Sequence, residues 1–161
     1  MEEEVEREIS QDEGEHYLVI DEEVELKTHQ FINKELSGHL VELAEGYAKV
    51  EFKTIKEMTV DRMGLVHSGF ISNVANFTAV AAVNEPNVVL ISSECRFLSP
   101  VKVNCLLVFE GKEIHQEARK RRVHVVGKFN EIKVFEGKFV VVVLDRHVLK
   151  LKLVDEEDEV K

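Results

Sequence analysis

The chain has 161 residues, 44% hydrophobic and 32% charged, which suits one soluble domain able to bury a proper core. Its longest apolar run, FVVVVL at 139–144, is strand-sized, and the start MEEEVEREIS is acidic without an apolar stretch, so the reading excludes a membrane span, a signal peptide and a transit peptide and expects a cytoplasmic protein. The net charge of −10 divides into −11 for residues 1–25, +5 for 26–154 and −4 for 155–161: a mildly basic domain between an acidic arm and an acidic tail, an arrangement that speaks against a nucleic-acid partner.

Residues 1–15 read as a frayed helix or a disordered acidic arm, and YLVI at 17–20 as a short added edge strand. THQFINKEL at 28–36 has near-helical spacing, with Thr28 as N-cap and Gly38 as the stop. Two alternating segments within 38–55 flank Glu45-Gly46 and predict a β-hairpin. LVHSGFISNVANFTAVAAV at 65–83 is the one segment suited to a full helix, and it is apolar nearly all round, as a buried helix is. Asn84-Glu85-Pro86-Asn87 closes it.

The rest reads as strand: 88–97, broken by Ser99-Pro100, then 105–110, 122–129, 132–144 and 146–154. There is no βαβ rhythm, so a parallel sheet is not expected. The pattern predicts an α+β chain with a curved antiparallel β-sheet wrapped around one central buried α-helix.

That order, with the helix entered through Gly64-Leu65-Val66-His67-Ser68-Gly69, resembles the hotdog fold of acyl-CoA thioesterases and acyl-CoA-binding proteins. In the phenylacetate-type branch the turn is G-x-x-H-G-G, and Ser68 stands where a Gly is usual. ECRFLSPVKV at 94–103 is similar to the strand, aromatic and proline turn of the same family. The resemblance spans about residues 36–145. It implies a domain over 26–154 that takes a CoA thioester as ligand, with no other cofactor.

The resemblance also implies where the chemistry sits. Backbone amides at Ser68 and Gly69, with His67 beside them, would meet the thioester carbonyl at the helix N-terminus, where dipole and free N–H groups favour an oxyanion. The family's carboxylate, nine residues beyond the His, is Asn76 here. An amide neither takes a proton from water nor attacks a carbonyl, so the resemblance implies binding without efficient hydrolysis. Asn76 at this position also resembles the hotdog effector domain of malonyl-CoA-responsive lipid regulators. Gly69 and Asn76, seven residues apart, are about 10 Å apart along the helix axis. One thioester cannot reach both in one chain, so the site would be composite, in a homodimer or tetramer. Asp61, six residues before His67, is the alternative catalytic carboxylate if the chain is a thioesterase. A dimeric protein-interaction platform is the third reading.

Arg119-Lys120-Arg121-Arg122 is the sharpest cluster of charge, set where hotdog proteins contact CoA phosphates, and in a strand only alternate members would face a ligand. Phe70, Phe77 and Phe97 are candidate acyl-pocket residues or plain core. Cys95, Cys105 and the seven histidines have no metal-site spacing, and no metal is expected.

Overall fold

The computed structural model describes residues 19–20 and 24–151. The arm at 1–15 and the tail at 155–161 lie outside the described residues. Seven strands form one sheet: β1 (Val19–Ile20), β2 (His39–Ala44), β3 (Tyr47–Lys53), β4 (Val88–Phe97), β5 (Leu106–Glu117), β6 (Lys120–Phe129) and β7 (Ile132–Val143). Their order is β1-β2-β3-β5-β6-β7-β4, antiparallel throughout except for β1, which runs parallel to β2 as the short added edge strand. The hairpin turns at Glu45-Gly46, where Gly46 takes the positive φ of 69° that such turns demand. The architecture is the expected curved sheet around one long helix.

That helix, α2 (Ser68–Val83), lies on the concave face. Its small buried residues, Ala75, Ala79, Ala81 and Ala82, let the backbone approach the sheet, and at Gly111 an added Cβ would meet Thr78 at 3.1 Å. Alternation in the strands puts Val50, Phe52, Leu107, Phe109, Val123, Val125, Phe135, Phe139 and Val141 under the helix, all fully buried. Phe109, Phe135 and Phe139 stack in sequence, with ring centroids 6.0 and 6.3 Å apart. Asn84 ends α2 in the left-handed conformation, and its amide binds both Lys27 N and Glu25 O at 2.8 Å, pinning the Glu25–Lys27 segment to the helix end.

Several elements differ from the sequence reading. Residues 28–33 form a turn, with His29 at φ 53°; only Lys34–Ser37 is helical (α1), and its N-cap is Asn33, not Thr28. The strand expected at 146–154 is absent over its described part, where Val148–Lys150 forms a 3₁₀ turn. Pairing ends when Val143 N bonds Arg119 O and Leu144 N bonds Asn87 O, so the chain beyond has no neighbour to continue with. The helix begins at Ser68 rather than 65, because Val66 N and His67 N are already bonded to Val101 O and Met58 O.

Strand β4 has β7 on one side and, among the described residues, no strand on the other. Its outer half is exposed, Ile91 at 51% and Phe97 at 49%. No helix among the described residues is long and apolar enough to cross a membrane.

Candidate functional site

The motif GLVHSGF folds as a two-strand clasp leading into a capped helix. Leu65 bridges to Lys102 and Val66 to Thr59, which fixes the entry angle of the chain. His67 is the N-cap of α2, and its Nδ1 accepts from Gly69 N at 2.8 Å. A Cβ on residue 69 would meet that imidazole at 2.7 Å, so the glycine is what lets the ring lie over the turn. The imidazole also sets its edge against Phe70, 6.2 Å between centroids. His67 therefore acts as a cap here, and it occupies one of the two amides expected for a thioester oxygen. Ser68 N, at the first helical position, has no acceptor within the helix. Gly69 O accepts from Ser72 Oγ at 3.0 Å.

From this turn a cleft of ≈ 270 Å³ runs between α2 and the edge strand β4. Gly69, Ser72, Asn73 and Asn76 line it from the helix, Leu90, Ser93 and Cys95 from β4, and Phe139 forms its floor. Asn73 is held in place by its amide, which donates to Leu36 O at 3.0 Å and Ser37 Oγ at 2.9 Å. Asn76 is half-buried, and its side chain makes no hydrogen bond to another described residue. Cys95 is a free, half-buried thiol.

The structure brings Gly69 and Asn76 to one cleft and leaves other candidates outside it. Asp61 is exposed and turned onto its own loop, its Oδ1 accepting from Met63 N at 2.9 Å and Leu65 N at 3.2 Å. It does not line the cleft, and neither does any other carboxylate among the described residues. Phe77 is core, 3% exposed, and Phe97 is a half-exposed residue set edge-on to Phe135. Phe70 packs at the helix start. The apolar wall that sequence reading did not single out is Leu90 with Phe139. The signal for it was the alternation of β4 and β7, whose residues 93 and 139 face each other across the pair.

The basic cluster is split by the strand. Arg121 follows Val123 onto the core side and pairs with Glu113 at 3.3 Å, both side chains 16% exposed, with Arg121 Nε buried and unbonded. Arg119 pairs with Asp145 at 2.6 Å in solvent. Lys120 and Arg122 are exposed and have no ion-pair partner among the described residues. Arg121 stands opposite Val141, which stands opposite Leu90 of the cleft wall, so two strand spacings, about 10 Å, separate the cluster from the cleft.

A second groove, ≈ 580 Å³, lies at the other end of α2 between the 27–32 turn, Pro86–Val89 and His147–Val148.

No protein-family profile matches the chain. An uncharacterized protein from Pyrococcus horikoshii superposes with a TM-score of 0.77 at 47% identity, over 78% of this chain and 97% of that one. Part of a methylthioribose-1-phosphate isomerase from Aquifex aeolicus is 44% identical over 121 residues, which are 75% of this chain but 26% of the isomerase. The transcription factor FapR from Caldanaerobacter subterraneus is 28% identical over 125 residues, 77% of this chain and 62% of FapR. The chain thus spans about a quarter of one of these curated relatives and under two thirds of the other. A mutant of the phenylacetic acid degradation protein PaaI from Thermus thermophilus, at 21% identity, 68% of this chain, 95% of that one and TM-score 0.63, shares the fold.

Proposed function

We propose that this chain, which belongs to the hotdog-fold superfamily of acyl-CoA thioesterases and acyl-CoA-binding proteins and forms one family with the Pyrococcus horikoshii protein, binds an acyl-CoA thioester in the Gly69–Asn76 cleft and does not hydrolyse it efficiently. The observation that carries the reading is the lining: Asn76 sits in the cleft, and among the described residues no Asp or Glu does. Hydrolysis at neutral pH needs a group that takes a proton from water or attacks the carbonyl itself. An amide side chain does neither. The helix start can still hold a carbonyl oxygen through the Ser68 amide, and through the Gly69 amide once the His67 ring swings aside.

The site is completed by a second copy in this reading. Gly69 and Asn76 of one helix are about 10 Å apart along the axis, too far for one thioester. Strand β4 is an unpaired, half-exposed edge beside the cleft. Two-fold pairing along that edge would run the helices antiparallel, set the turn of one chain toward Asn76 of the other, and remove the edge. Lys120 and Arg122 have no ion-pair partner among the described residues and lie on the sheet face away from Arg121, so they would meet CoA phosphates from outside the cleft. What weighs against the thioesterase reading is that Asp61 Oδ1 accepts from Met63 N and Leu65 N on its own loop, away from the cleft. The isomerase and transcription-factor names belong to proteins this chain only partly spans, and neither activity is carried over.

Native mass spectrometry of the purified protein tests the reading. A dimer carrying intact acyl-CoA is the expected species. A dimer carrying free CoA would indicate turnover, and an empty dimer would favour an interaction platform.

A further inference from the structure

The cleft is small, and its polarity is of one kind. Its eight lining residues supply hydroxyl (Ser72, Ser93), amide (Asn73, Asn76), thiol (Cys95) and apolar surface (Leu90, Phe139), and none carries a charge. This is not confined to the wall. The whole of α2, SGFISNVANFTAVAAV, lacks a charged side chain. On β4 the charged Glu94 and Arg96 stand opposite Lys138 and Glu136, on the face that alternates away from Ser93 and Cys95. A two-fold partner presents the same helix and strand, so its contribution from those elements is also uncharged. Phe139, 1% exposed, closes the floor. At ≈ 270 Å³ the part of the site contributed by one copy lies just below the range of ligand pockets, about 300 to 1,000 Å³.

Resting on the thioester reading above, we infer that the acyl group this cleft takes is short, uncharged, and polar just beyond the thioester: a hydroxyacyl or oxoacyl chain, not a dicarboxylic half-thioester and not a long alkyl chain. The physical reasons are three. A carboxylate enclosed here would lose its water with no cation to replace it. A long alkyl chain would meet Phe139 and a ring of polar atoms. A hydroxyl or ketone oxygen would satisfy the amide of Asn76, which has no partner among the described residues, and could bond Ser93 across the cleft.

The test is calorimetric titration of the full chain with butyryl-, 3-hydroxybutyryl-, malonyl- and palmitoyl-CoA, on wild type, Asn76→Ala and Ser93→Ala, each first confirmed folded by thermal melting. Wild type should bind 3-hydroxybutyryl-CoA about tenfold more tightly than butyryl-CoA and at least as much more tightly than malonyl- or palmitoyl-CoA. In both variants the affinities for 3-hydroxybutyryl- and butyryl-CoA should fall within about twofold of each other, the preference for the hydroxyl being lost. Malonyl- or palmitoyl-CoA binding as tightly as the hydroxyacyl thioester would overturn the inference, as would equal affinity for the butyryl and hydroxybutyryl forms, and in each of those cases the thioester reading would survive. Failure to bind any of the four would remove that reading, and this inference with it.

Discussion

Gly69 and His67 are one device, and a double-mutant cycle on them has a sign reversal built in. In the wild type, Gly69→Ala places a methyl 2.7 Å from Nδ1 and 2.8 Å from Cε1 of the imidazole. The ring is exposed and can move, so the clash relaxes by losing the 2.8 Å bond between Gly69 N and Nδ1. An N-cap bond is worth about 0.5–2 kcal/mol, and an off-rotamer ring adds roughly 0.5–1.5 kcal/mol. Against this, alanine gains roughly 0.5–1 kcal/mol over glycine by helix propensity. The net expectation is a loss of roughly 1.5 kcal/mol, within a span of about 0 to 3, or a few degrees in Tm. In a His67→Ala background nothing remains to displace. There the same Gly69→Ala change should stabilise by about 0.5 kcal/mol or more. Urea unfolding of the four proteins gives the coupling directly. An equal effect of Gly69→Ala in both backgrounds would show that the ring and the glycine are independent, and the account of the turn would fail.

Gly127→Ala should cost about 1–3 kcal/mol by overpacking, since the added Cβ falls 2.6 Å from the buried Phe109 ring; an unchanged urea midpoint would refute this packing. Arg121→Ala should destabilise by about 1–3 kcal/mol because it leaves the largely buried Glu113 unpaired, whereas Arg122→Ala should leave the melting temperature unchanged and weaken CoA binding; the reverse pattern would return the cluster to a mere solvated turn. The Glu136 carboxyl is held below its ordinary range first by its hydrogen bond to His124 and then by Lys133, so its stabilisation is complete above the unfolded carboxylate pKa of about 4.3 and fades as pH falls through the lower folded value. Glu136→Gln should flatten the melting profile in that acid window and nowhere above it, as melts from pH 2 to 7 would reveal.

Much of the fold was legible because two periods dominate. In the hairpin β3 alternates strictly, and α2 is long, alanine-rich and free of charge, so neither tolerates another reading. Residues 28–36 defeated the same logic: Phe31 and Ile32 have helical spacing, but His29 adopts a left-handed backbone and Ile32 N bonds His29 O, closing a tight turn instead. Leu149 and Leu151 alternate like a strand, yet Val148–Lys150 closes a 3₁₀ turn in which Lys150 N bonds His147 O. At the site, His67, Gly69 and Asn76 could be found because they share one short motif on one helix. Leu90, Ser93, Cys95 and Phe139 could not, because facing β4 and β7 residues are distant in sequence and only the pleat brings them to the cleft. Phe77 was a plausible pocket residue by size alone; its orientation into the core is decided by its place on the helix, which composition does not show.

The most direct measurement of the central claim is thiol release from acyl-CoA by wild type and Asn76→Asp, run side by side at neutral pH. The substitution changes charge with hardly any change of volume, and it restores a carboxylate to a cleft that has none. The account predicts a wild type that binds the thioester and releases thiol slowly, and a variant faster by roughly 100- to 10,000-fold, the usual worth of a positioned general base. A wild type that already turns over rapidly, with Asn76→Asp giving no gain, would contradict it.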